Sequence, residues 1–268
     1  MAGQLTGKTA LVTGSAQGIG LAIAKSLASE GARLAIHGLA DKAQQDEAIA
    51  AVLESGATEA RFFDGDLRDS DAINNLMAKV QDWGGCDILV NNAGVQETVS
   101  MEDATPEIWD RVLSINLSAA FHTMRHALPV MAERGYGRVI NISSVHGLVA
   151  SVNKAPYVAS KFGLVGLSRV SALEYANRGN KASGGVTVNC ICPGWVETSL
   201  IEPQVAARAK KYGGDREAGV ADLLSEKQPS QRTSSPDEIG ALALWLCSPV
   251  AHNMTGAAIP LDGGWTAQ

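Results

Sequence analysis

The 268-residue sequence has no run of about 18 apolar residues, the shortest stretch with which a helix usually crosses a membrane. Cysteine is scarce, and the four thiols form neither a CxxC pair nor a zinc-like cluster. The first residues lack the charged start and apolar stretch of a secretory signal. Because disulfides need an oxidising compartment, these features predict a cytoplasmic protein with reduced thiols, no bound metal and no membrane partner.

An excess of basic residues is also missing. The chain has 22 Lys and Arg against 28 Asp and Glu, a formal net charge of −6. A protein that binds the phosphate backbone of a nucleic acid needs a basic stripe, so this class of partner is not expected. An anionic ligand would need a local site, because the overall field of the protein does not attract it.

Apolar, β-branched segments alternate along the chain with longer helical patterns. Strands are predicted at 8–13, 33–37, 60–63, 86–90, 138–142, 186–191 and 258–261. Helices are predicted at 18–30, 41–55, 69–83, 105–133, 155–177 and 237–247. This alternation is typical of the α/β class, and it predicts a Rossmann-type, doubly wound parallel sheet of about seven strands with helices on both faces.

A single domain over 1–268 is predicted, since no low-complexity linker divides the chain. One long excursion lies between two core elements, at about 197–235. It carries short helical patterns and the pair Gly213 and Gly214. Long excursions beside strand ends often close over a substrate, so we expect this segment to be a helical substrate lid.

A glycine-rich turn follows the first strand and opens the first helix. Glycine lets the backbone turn tightly and approach a pyrophosphate, and the free N–H groups of a helix N-terminus attract its negative charge. The alternative is a tight turn that binds nothing. The predicted cofactor contacts in this turn are Gly14, Ser15, Gln17, Gly18, Ile19 and Gly20.

Tyr157 and Lys161 form a YxxxK pair on a predicted helix. Residues four apart lie on the same face, so the phenol and the ammonium can converge on one site. A nearby cation lowers the pKa of a phenol, which would make Tyr157 a general base near neutral pH. We therefore expect Lys161 to lower the Tyr157 pKa, and Tyr157 to remove the proton of an alcohol as its hydride leaves.

The turn has the spacing TGxxxGxG, and with the YxxxK pair it resembles the short-chain dehydrogenase/reductase family. Other markers of that family follow in order: Asp66 with Leu67, the NNAG motif at 91–94, Asn116, and Pro193 with Gly194. The resemblance extends from Lys8 to Trp265. It implies that Asp66 binds the adenine amine, and that further contacts to a nicotinamide dinucleotide come from Leu39, Leu67, Asn92, Ala93, Gly94, Tyr157, Lys161, Pro193, Gly194, Val196 and Thr198.

The resemblance also implies a catalytic set. Ser144 lies thirteen residues before Tyr157, which is the family's serine spacing, and its hydroxyl would donate to the developing alkoxide. Ser143 is the alternative. Asn116 would hold, through its backbone, a water that links Lys161 to bulk solvent, or else it is a polar residue that kinks its helix. Catalytic residues are thus expected at Asn116, Ser144, Tyr157 and Lys161.

The choice between NAD and NADP depends on the end of the second strand. No arginine stands between Ala35 and Asp41 to hold a 2′-phosphate, and the strand tip lacks the acidic residue that usually selects NAD. Asp41 is expected to cap a helix, although it could reach the ribose, and Lys42 is the one candidate phosphate partner. We expect NAD to be the cofactor.

Two polar residues lead into the catalytic helix, His146 and Lys154, and a cation there suits a short acid whose carboxylate lies near the reacting carbon. The pattern resembles the bacterial D-3-hydroxybutyrate dehydrogenases within the family. That resemblance implies a substrate site formed by Gln96, Ser144, His146, Lys154, Tyr157, Trp195, Gln204 and Trp265, with the two tryptophans walling a small pocket.

The resulting expectation is NAD-dependent interconversion of (R)-3-hydroxybutyrate and acetoacetate. The alternatives are a broader carbonyl or 3-ketoacyl reductase of the same family, and a non-catalytic module that senses nucleotides. The expected partner is a short 3-hydroxy or 3-keto acid. The family resemblance further implies a homotetramer, with the helices predicted at 105–133 and 155–177 packing between subunits.

Overall fold

A computed structural model describes residues 3–268, and its centre is a seven-stranded parallel sheet in the order β3-β2-β1-β4-β5-β6-β7. The strands are β1 (Thr9–Val12), β2 (Arg33–His37), β3 (Ala60–Phe63), β4 (Ile88–Asn91), β5 (Tyr136–Ile142), β6 (Gly185–Pro193) and β7 (Ala258–Leu261). The chain reverses the direction of strand addition between β1 and β4. Ligands of doubly wound folds bind at such a switch point, beyond the carboxyl ends of the strands. The predicted fold class is confirmed.

Nine α-helices connect the strands within residues 3–268. They are α1 (Gly18–Ala28), α2 (Lys42–Glu54), α3 (Ser70–Trp83), α4 (Pro106–Leu113), α5 (Ala119–Arg134), α6 (Ala155–Tyr175), α7 (Glu202–Ala209), α8 (Arg216–Ser225) and α9 (Pro236–Cys247). Asp41 caps α2 as predicted, since its carboxylate accepts the Gln44 N–H at 2.9 Å. None of these described helices combines the length and apolar character needed to cross a membrane.

The side chains of the sheet alternate between two apolar clusters, one on each face. Ala10 and Val12 of β1 pack into the cluster beneath α1, α2 and α9, whereas Leu11 packs into the cluster beneath α3, α5 and α6. Burial on both faces is why the strands read as continuous apolar runs in the sequence.

The helical region predicted at 105–133 is two α-helices joined by a π-helical turn, Ser114–Ser118. The turn brings the N–H of Ala119 to the Ser114 carbonyl, five residues back. Such insertions are frequent at functional sites, and this one contains the buried Asn116.

The segment at 197–235 forms α7, a short 3₁₀ turn and α8, which pack against each other. Arg208 joins them by ion pairs to Asp222, with 3.0 Å between nitrogen and oxygen, and to Glu226. The segment follows β6 and precedes α9, so it lies at the edge of the sheet where the carboxyl ends of the strands gather.

Candidate active site

A cavity of about 770 Å³ opens at the carboxyl edge of the sheet, at the switch between β1 and β4. Most of the residues predicted to bind a cofactor line it. They are Gly14, Gln17, Gly18, Ile19, Leu39, Asp66, Leu67, Asn92, Ala93, Gly94, Tyr157, Lys161, Pro193, Gly194, Val196 and Thr198. Two predicted contacts, Ser15 and Gly20, do not line the cavity.

The glycine turn needs its glycines for two reasons. Gly14 and Gly18 have φ angles of +64° and +58°, in the left-handed region that other residues rarely adopt. A Cβ on Gly20 would lie 2.3 Å from the carbonyl oxygen of Gly14. The turn therefore presents bare backbone and the start of α1 to the cavity, which is the surface that a pyrophosphate requires.

Ser15 is fully buried and stabilises the turn from behind. Its hydroxyl donates to the Val12 carbonyl at 2.7 Å and accepts the His37 N–H at 3.1 Å. The Ser15 N–H donates to the His37 carbonyl at 2.7 Å, so neither polar group of Ser15 is free for a ligand. Gly20 serves the packing of α1 against the turn.

His37 is a residue that the sequence analysis gave no role. It ends β2, is 2% exposed, and lies between two loops of the cavity. Its Nδ1 accepts the Gly14 N–H at 3.4 Å, and its Nε2 lies 3.0 Å from the Gly65 carbonyl. This pairing requires a neutral ring with the proton on Nε2, and burial lowers the His37 pKa accordingly.

The carboxylate predicted to bind adenine is already paired. Arg68 binds Asp66 through Nε at 3.0 Å and Nη2 at 2.6 Å, and these hydrogen bonds lower the Asp66 pKa to about 2. The Asp66 carboxylate is therefore fully ionised and is an acceptor only. Arg68 itself lines the cavity, and the sequence analysis did not identify it.

Asn92 and Asn116 fix the loop that follows β4. The Asn92 amide donates to the carbonyls of Thr13 and Gly14 at 2.9 and 3.0 Å. Asn116 accepts the Val95 N–H at 2.8 Å and donates to the Ser160 hydroxyl at 3.1 Å. The side chain of Asn116 thus ties this loop to α6, which carries the tyrosine and the lysine.

Gly94 leaves room next to the side chains of Asn116 and Lys161. A Cβ at this position would stand 3.4 Å from Asn116 Oδ1 and 3.6 Å from Lys161 Nζ. The loop therefore brings bare backbone close to the lysine, as a flat ring bound beside it would require.

Tyr157, Lys161 and Ser144 meet at the inner end of the cavity, and all three are buried. The Lys161 ammonium donates to the Ile142 carbonyl at 2.9 Å and lies 5.6 Å from the centre of the Tyr157 ring. Ser143, the alternative serine, uses its hydroxyl to donate to the Lys161 carbonyl at 3.1 Å. Ser144 is therefore the serine available to a substrate.

The net pKa of the Tyr157 phenol is raised in this structure, opposite to the expected direction, and the contribution of Lys161 to it stays a prediction. Burial raises the pKa of Tyr157, and a hydrogen bond with Ser144 opposes that rise only in part. Burial also lowers the Lys161 pKa to about 8. The physical reason is desolvation, which disfavours the charged form of both groups.

A second cluster of side chains adjoins Tyr157. The His146 ring lies 6.0 Å from the Tyr157 ring and 5.5 Å from the Trp265 ring, centre to centre. Trp195 lies 5.6 Å from Trp265, and the Lys154 ammonium lies 5.3 Å from the Trp195 ring. Four of the predicted substrate residues are thus brought together beside Tyr157.

Lys154 is a buried cation, with 8% of its surface exposed. Burial, then the charge of Lys227, lowers its pKa to about 8. Burial also lowers the His146 pKa to about 4, with Lys154 the second cause. His146 is therefore neutral at physiological pH, and its Nδ1 lies 3.3 Å from the Val149 carbonyl.

The two predicted glutamines lie at the border of this cluster. Gln96 belongs to the loop whose Val99 forms a β-bridge with Lys154. Gln204 lies on α7, one residue before the buried Val205, whose cluster contacts Trp195. Within residues 3–268 neither amide group forms a hydrogen bond with the protein.

The model of the family described as short chain dehydrogenase matches residues 8–209. A D-beta-hydroxybutyrate dehydrogenase of Cupriavidus necator is 48% identical over 98% of this chain and 100% of that protein. A D-beta-hydroxybutyrate dehydrogenase of Rhizobium meliloti is 44% identical over 97% of this chain and 99% of that protein.

Among solved structures, L-sorbose reductase from Gluconobacter frateurii, complexed with NADPH and L-sorbose, is similar with a TM-score of 0.91. The two are 29% identical, and the match covers 100% of both chains. The bare glycine turn and the loop at Gly94 fit a nicotinamide dinucleotide in the cavity of this chain. Its fold, its cavity and these similarities agree, and the chain belongs to the short-chain dehydrogenase family.

Proposed function

We propose that this enzyme is an NAD-dependent 3-hydroxybutyrate dehydrogenase that interconverts (R)-3-hydroxybutyrate and acetoacetate by hydride transfer. The observation that carries the proposal is the position of Lys154, a buried ammonium in the same small cluster as the catalytic Tyr157. A buried cation needs an anionic partner, and a short acid supplies one. The two relatives described above carry this activity in their names.

The oxidation step uses three buried residues, Tyr157, Ser144 and Lys161. Tyr157 accepts the proton of the substrate hydroxyl, and Ser144 donates a hydrogen bond to the oxygen as it becomes a ketone. Lys161 holds a positive charge close to the phenolate. The cofactor, when bound, supplies the hydride acceptor and, in its oxidised form, an additional positive charge that favours the phenolate.

The carboxylate of the acid lies on the other side of Tyr157 in this proposal. Lys154 pairs with it, and His146, Gln96 and Gln204 complete its surroundings. Trp195 and Trp265 wall the space left for the methyl group, which excludes bulkier ketones. Val196 and Thr198 line the cavity after β6 and would hold the carboxamide of the cofactor.

NAD is the proposed cofactor because β2 ends without an arginine between Ala35 and Asp41 that would hold a 2′-phosphate. Leu39, at the end of β2, is 86% exposed. Lys42 pairs with Asp46 at 2.6 Å. The two arginines on the cavity wall, Arg68 and Arg111, pair with Asp66 and Glu97, each at 2.6 Å.

The proposal includes a homotetramer, a cytoplasmic location, and a lid at 197–235 within one domain. Apolar side chains remain exposed on the two predicted interface regions. They are Trp109 and Phe121 on the first, and Phe162, Val170 and Leu173 on the second. The four cysteines are free and buried, which suits a reducing compartment.

Replacing Tyr157 tests the mechanism. Tyr157→Phe keeps the ring and removes the hydroxyl that exchanges the proton. We expect at least a ~10³-fold loss of kcat for (R)-3-hydroxybutyrate, in the range for loss of general-base and hydrogen-bond catalysis. We expect the dissociation constant of NADH, measured by its fluorescence, to change less than about threefold. A variant that kept most of its turnover would contradict the proposed role of Tyr157.

A further inference from the structure

Three protonatable side chains share one corner beside Tyr157: His146, Lys154 and Lys227. Lys227 was not among the predicted site residues. Its ammonium lies 6.0 Å from the centre of the Trp265 ring, which His146 contacts, and its charge is among the causes of the lowered pKa of both His146 and Lys154. Like charges in one corner destabilise each other, which means that this corner is built for an anion.

Lys227 follows the end of α8, where the 197–235 segment contacts the loop that precedes α6. Its ammonium donates to the hydroxyl of Ser151 at 3.4 Å and lies 6.0 Å from the centre of the Trp265 ring. Trp265 in turn contacts His146 and Trp195. Lys227 therefore places a positive charge of the 197–235 segment next to the cluster formed by His146, Lys154, Trp195 and Trp265.

The acidic residue next to Lys227 in the chain, Glu226, is paired with an arginine. Glu226 precedes Lys227 directly, and its charge acts on Lys154. Its carboxylate is nevertheless bound by Arg208 of α7. Arg208 also pairs with Asp222, which accepts from Lys211 at 3.2 Å as well.

The consequence is an unbalanced positive charge. Within residues 3–268 neither Lys154 nor Lys227 forms an ion pair, although acidic residues lie on the same segment as Lys227. Arg208 pairs with two of those acidic residues, Asp222 and Glu226. A carboxylate that entered the corner would meet two ammonium groups that form no ion pair with the described part of the protein.

We propose that Lys227 is a specificity-determining residue, a second ammonium that selects the carboxylate of the substrate, and that Arg208 is a positioning residue that keeps Glu226 from neutralising it. The inference rests on the proposed function and deepens it. Lys227 acts on the charge of the substrate and not on the hydride transfer, so it distinguishes an acid from a neutral ketone with the same reacting carbon.

The test compares acetoacetate with its neutral methyl ester, both reduced with NADH, in wild type and in Lys227→Gln. The variant keeps a polar side chain of similar reach and loses the charge. We expect the ratio of kcat/KM for the acid over the ester to fall about tenfold, with the change in KM for the acid. One well-placed ionic contact is of this order.

Two matched variants control for a structural effect. Lys211→Gln removes a lysine of the same segment that pairs with Asp222 and does not face the corner, and we expect the acid-to-ester ratio to stay within about twofold of wild type. Lys227→Arg keeps the charge, and we expect it to recover most of the ratio. A ratio that falls in Lys211→Gln as far as in Lys227→Gln would overturn the proposal.

Arg208 is tested by releasing Glu226. Arg208→Gln should lower the acid-to-ester ratio about as much as Lys227→Gln, because the freed carboxylate pairs with a lysine of the corner. Adding Glu226→Gln to that variant should restore the ratio, since the competing anion is gone. If the double variant stays as low as the single one, Arg208 only stabilises the segment and its positioning role is wrong.

Different results would contradict the proposed function and the role of Lys227. A wild-type enzyme that reduces the ester and not acetoacetate would overturn the proposed function together with this inference. A wild-type enzyme that prefers acetoacetate, with the same preference in Lys227→Gln, would leave the function in place and remove Lys227 from substrate selection.

Discussion

Two buried lysines serve the site in different ways. The ammonium of Lys161 donates to the Ile142 carbonyl at 2.9 Å. The ammonium of Lys154 instead lies 5.3 Å from the centre of the Trp195 ring, and its charged neighbours are Lys227 and Glu226. Burial lowers the pKa of each to about 8. In the proposed mechanism, Lys161 stabilises a charge that appears during the reaction, and Lys154 binds the charge that the substrate carries.

The titration of Lys154 predicts how substrate binding depends on pH. His146 is neutral in the neutral and alkaline range because its pKa is about 4, and Glu226 is held by Arg208. Above about pH 8, Lys154 loses its proton, and KM for acetoacetate should rise by up to about tenfold per pH unit. Steady-state reduction rates between pH 6.5 and 9.5 measure this.

The matched variant for this prediction is Lys154→Gln, which has no titrating ammonium at that position. Its KM should be high at neutral pH and should rise less steeply with pH than that of wild type. A wild-type KM that stays constant from pH 7 to 9.5 would show that Lys154 does not bind the substrate in its charged form.

For single residues, the sequence predicted where the side chains lie better than it predicted their pKa values. The spacing of Tyr157 and Lys161 is a local consequence of the helical repeat, so their convergence was foreseeable. The direction of the Tyr157 pKa was not, because it depends on burial by elements distant in sequence. Lys227 and Arg208 escaped prediction for the same reason: their roles arise from the packing of α7 on α8.

The end of β2 joins three elements through one imidazole. His37 contacts the glycine turn through Gly14 and the loop after β3 through Gly65. Both contacts hold only with a neutral ring, since a proton on Nδ1 would face the Gly14 N–H. His37 therefore positions the two loops that line the cavity, without lining it itself.

The lowered pKa of His37 fixes the sign of its pH effect. The unfolded chain takes up a proton near pH 6.5, and the folded chain takes it up only at lower pH. The contribution of His37 to stability is thus complete above pH 6.5 and is lost as pH falls through the folded pKa. Cofactor binding should weaken over the same acidic range, as the two loops separate.

Replacing His37 tests this junction. His37→Leu leaves the Gly14 N–H without its partner, and we expect a loss of about 1–3 kcal/mol in the free energy of unfolding. We expect the dissociation constant of NADH to rise several-fold at pH 8 and to depend less on acid than that of wild type. His252→Leu, in the turn after α9, is the control. An unchanged dissociation constant in His37→Leu would refute the role.

The element boundaries show which parts of a fold are local. The strands at Arg33–His37 and Ala60–Phe63 match their predicted limits, because glycine and polar residues flank them. β5 begins at Tyr136, two residues before its predicted start, because Tyr136 pairs in register with Gly185 of β6. The π-helical turn at Ser114–Ser118 has no marker in the sequence, and it divides the long predicted helix.

The whole molecule is acidic, with a net charge of −6, and yet it holds a positive corner at one edge of its sheet. The sheet order brings the carboxyl ends of β1, β4, β5 and β6 together, so a dinucleotide cavity and the lysine corner adjoin at Tyr157. The doubly wound parallel sheet was foreseeable from the alternation of strands and helices, whereas the strand order came from the structure. The fit of the two sites on either side of one phenol required the tertiary structure.

The central claim is that this edge oxidises a short (R)-3-hydroxy acid with NAD⁺, and one set of initial rates tests it most directly. The substrates are (R)- and (S)-3-hydroxybutyrate and the neutral alcohol 2-butanol, each with NAD⁺ and with NADP⁺. We predict that kcat/KM for (R)-3-hydroxybutyrate with NAD⁺ exceeds every other combination by about 100-fold or more, or about 2.7 kcal/mol. Equal or faster turnover of 2-butanol, of the (S) acid, or with NADP⁺ would contradict the account.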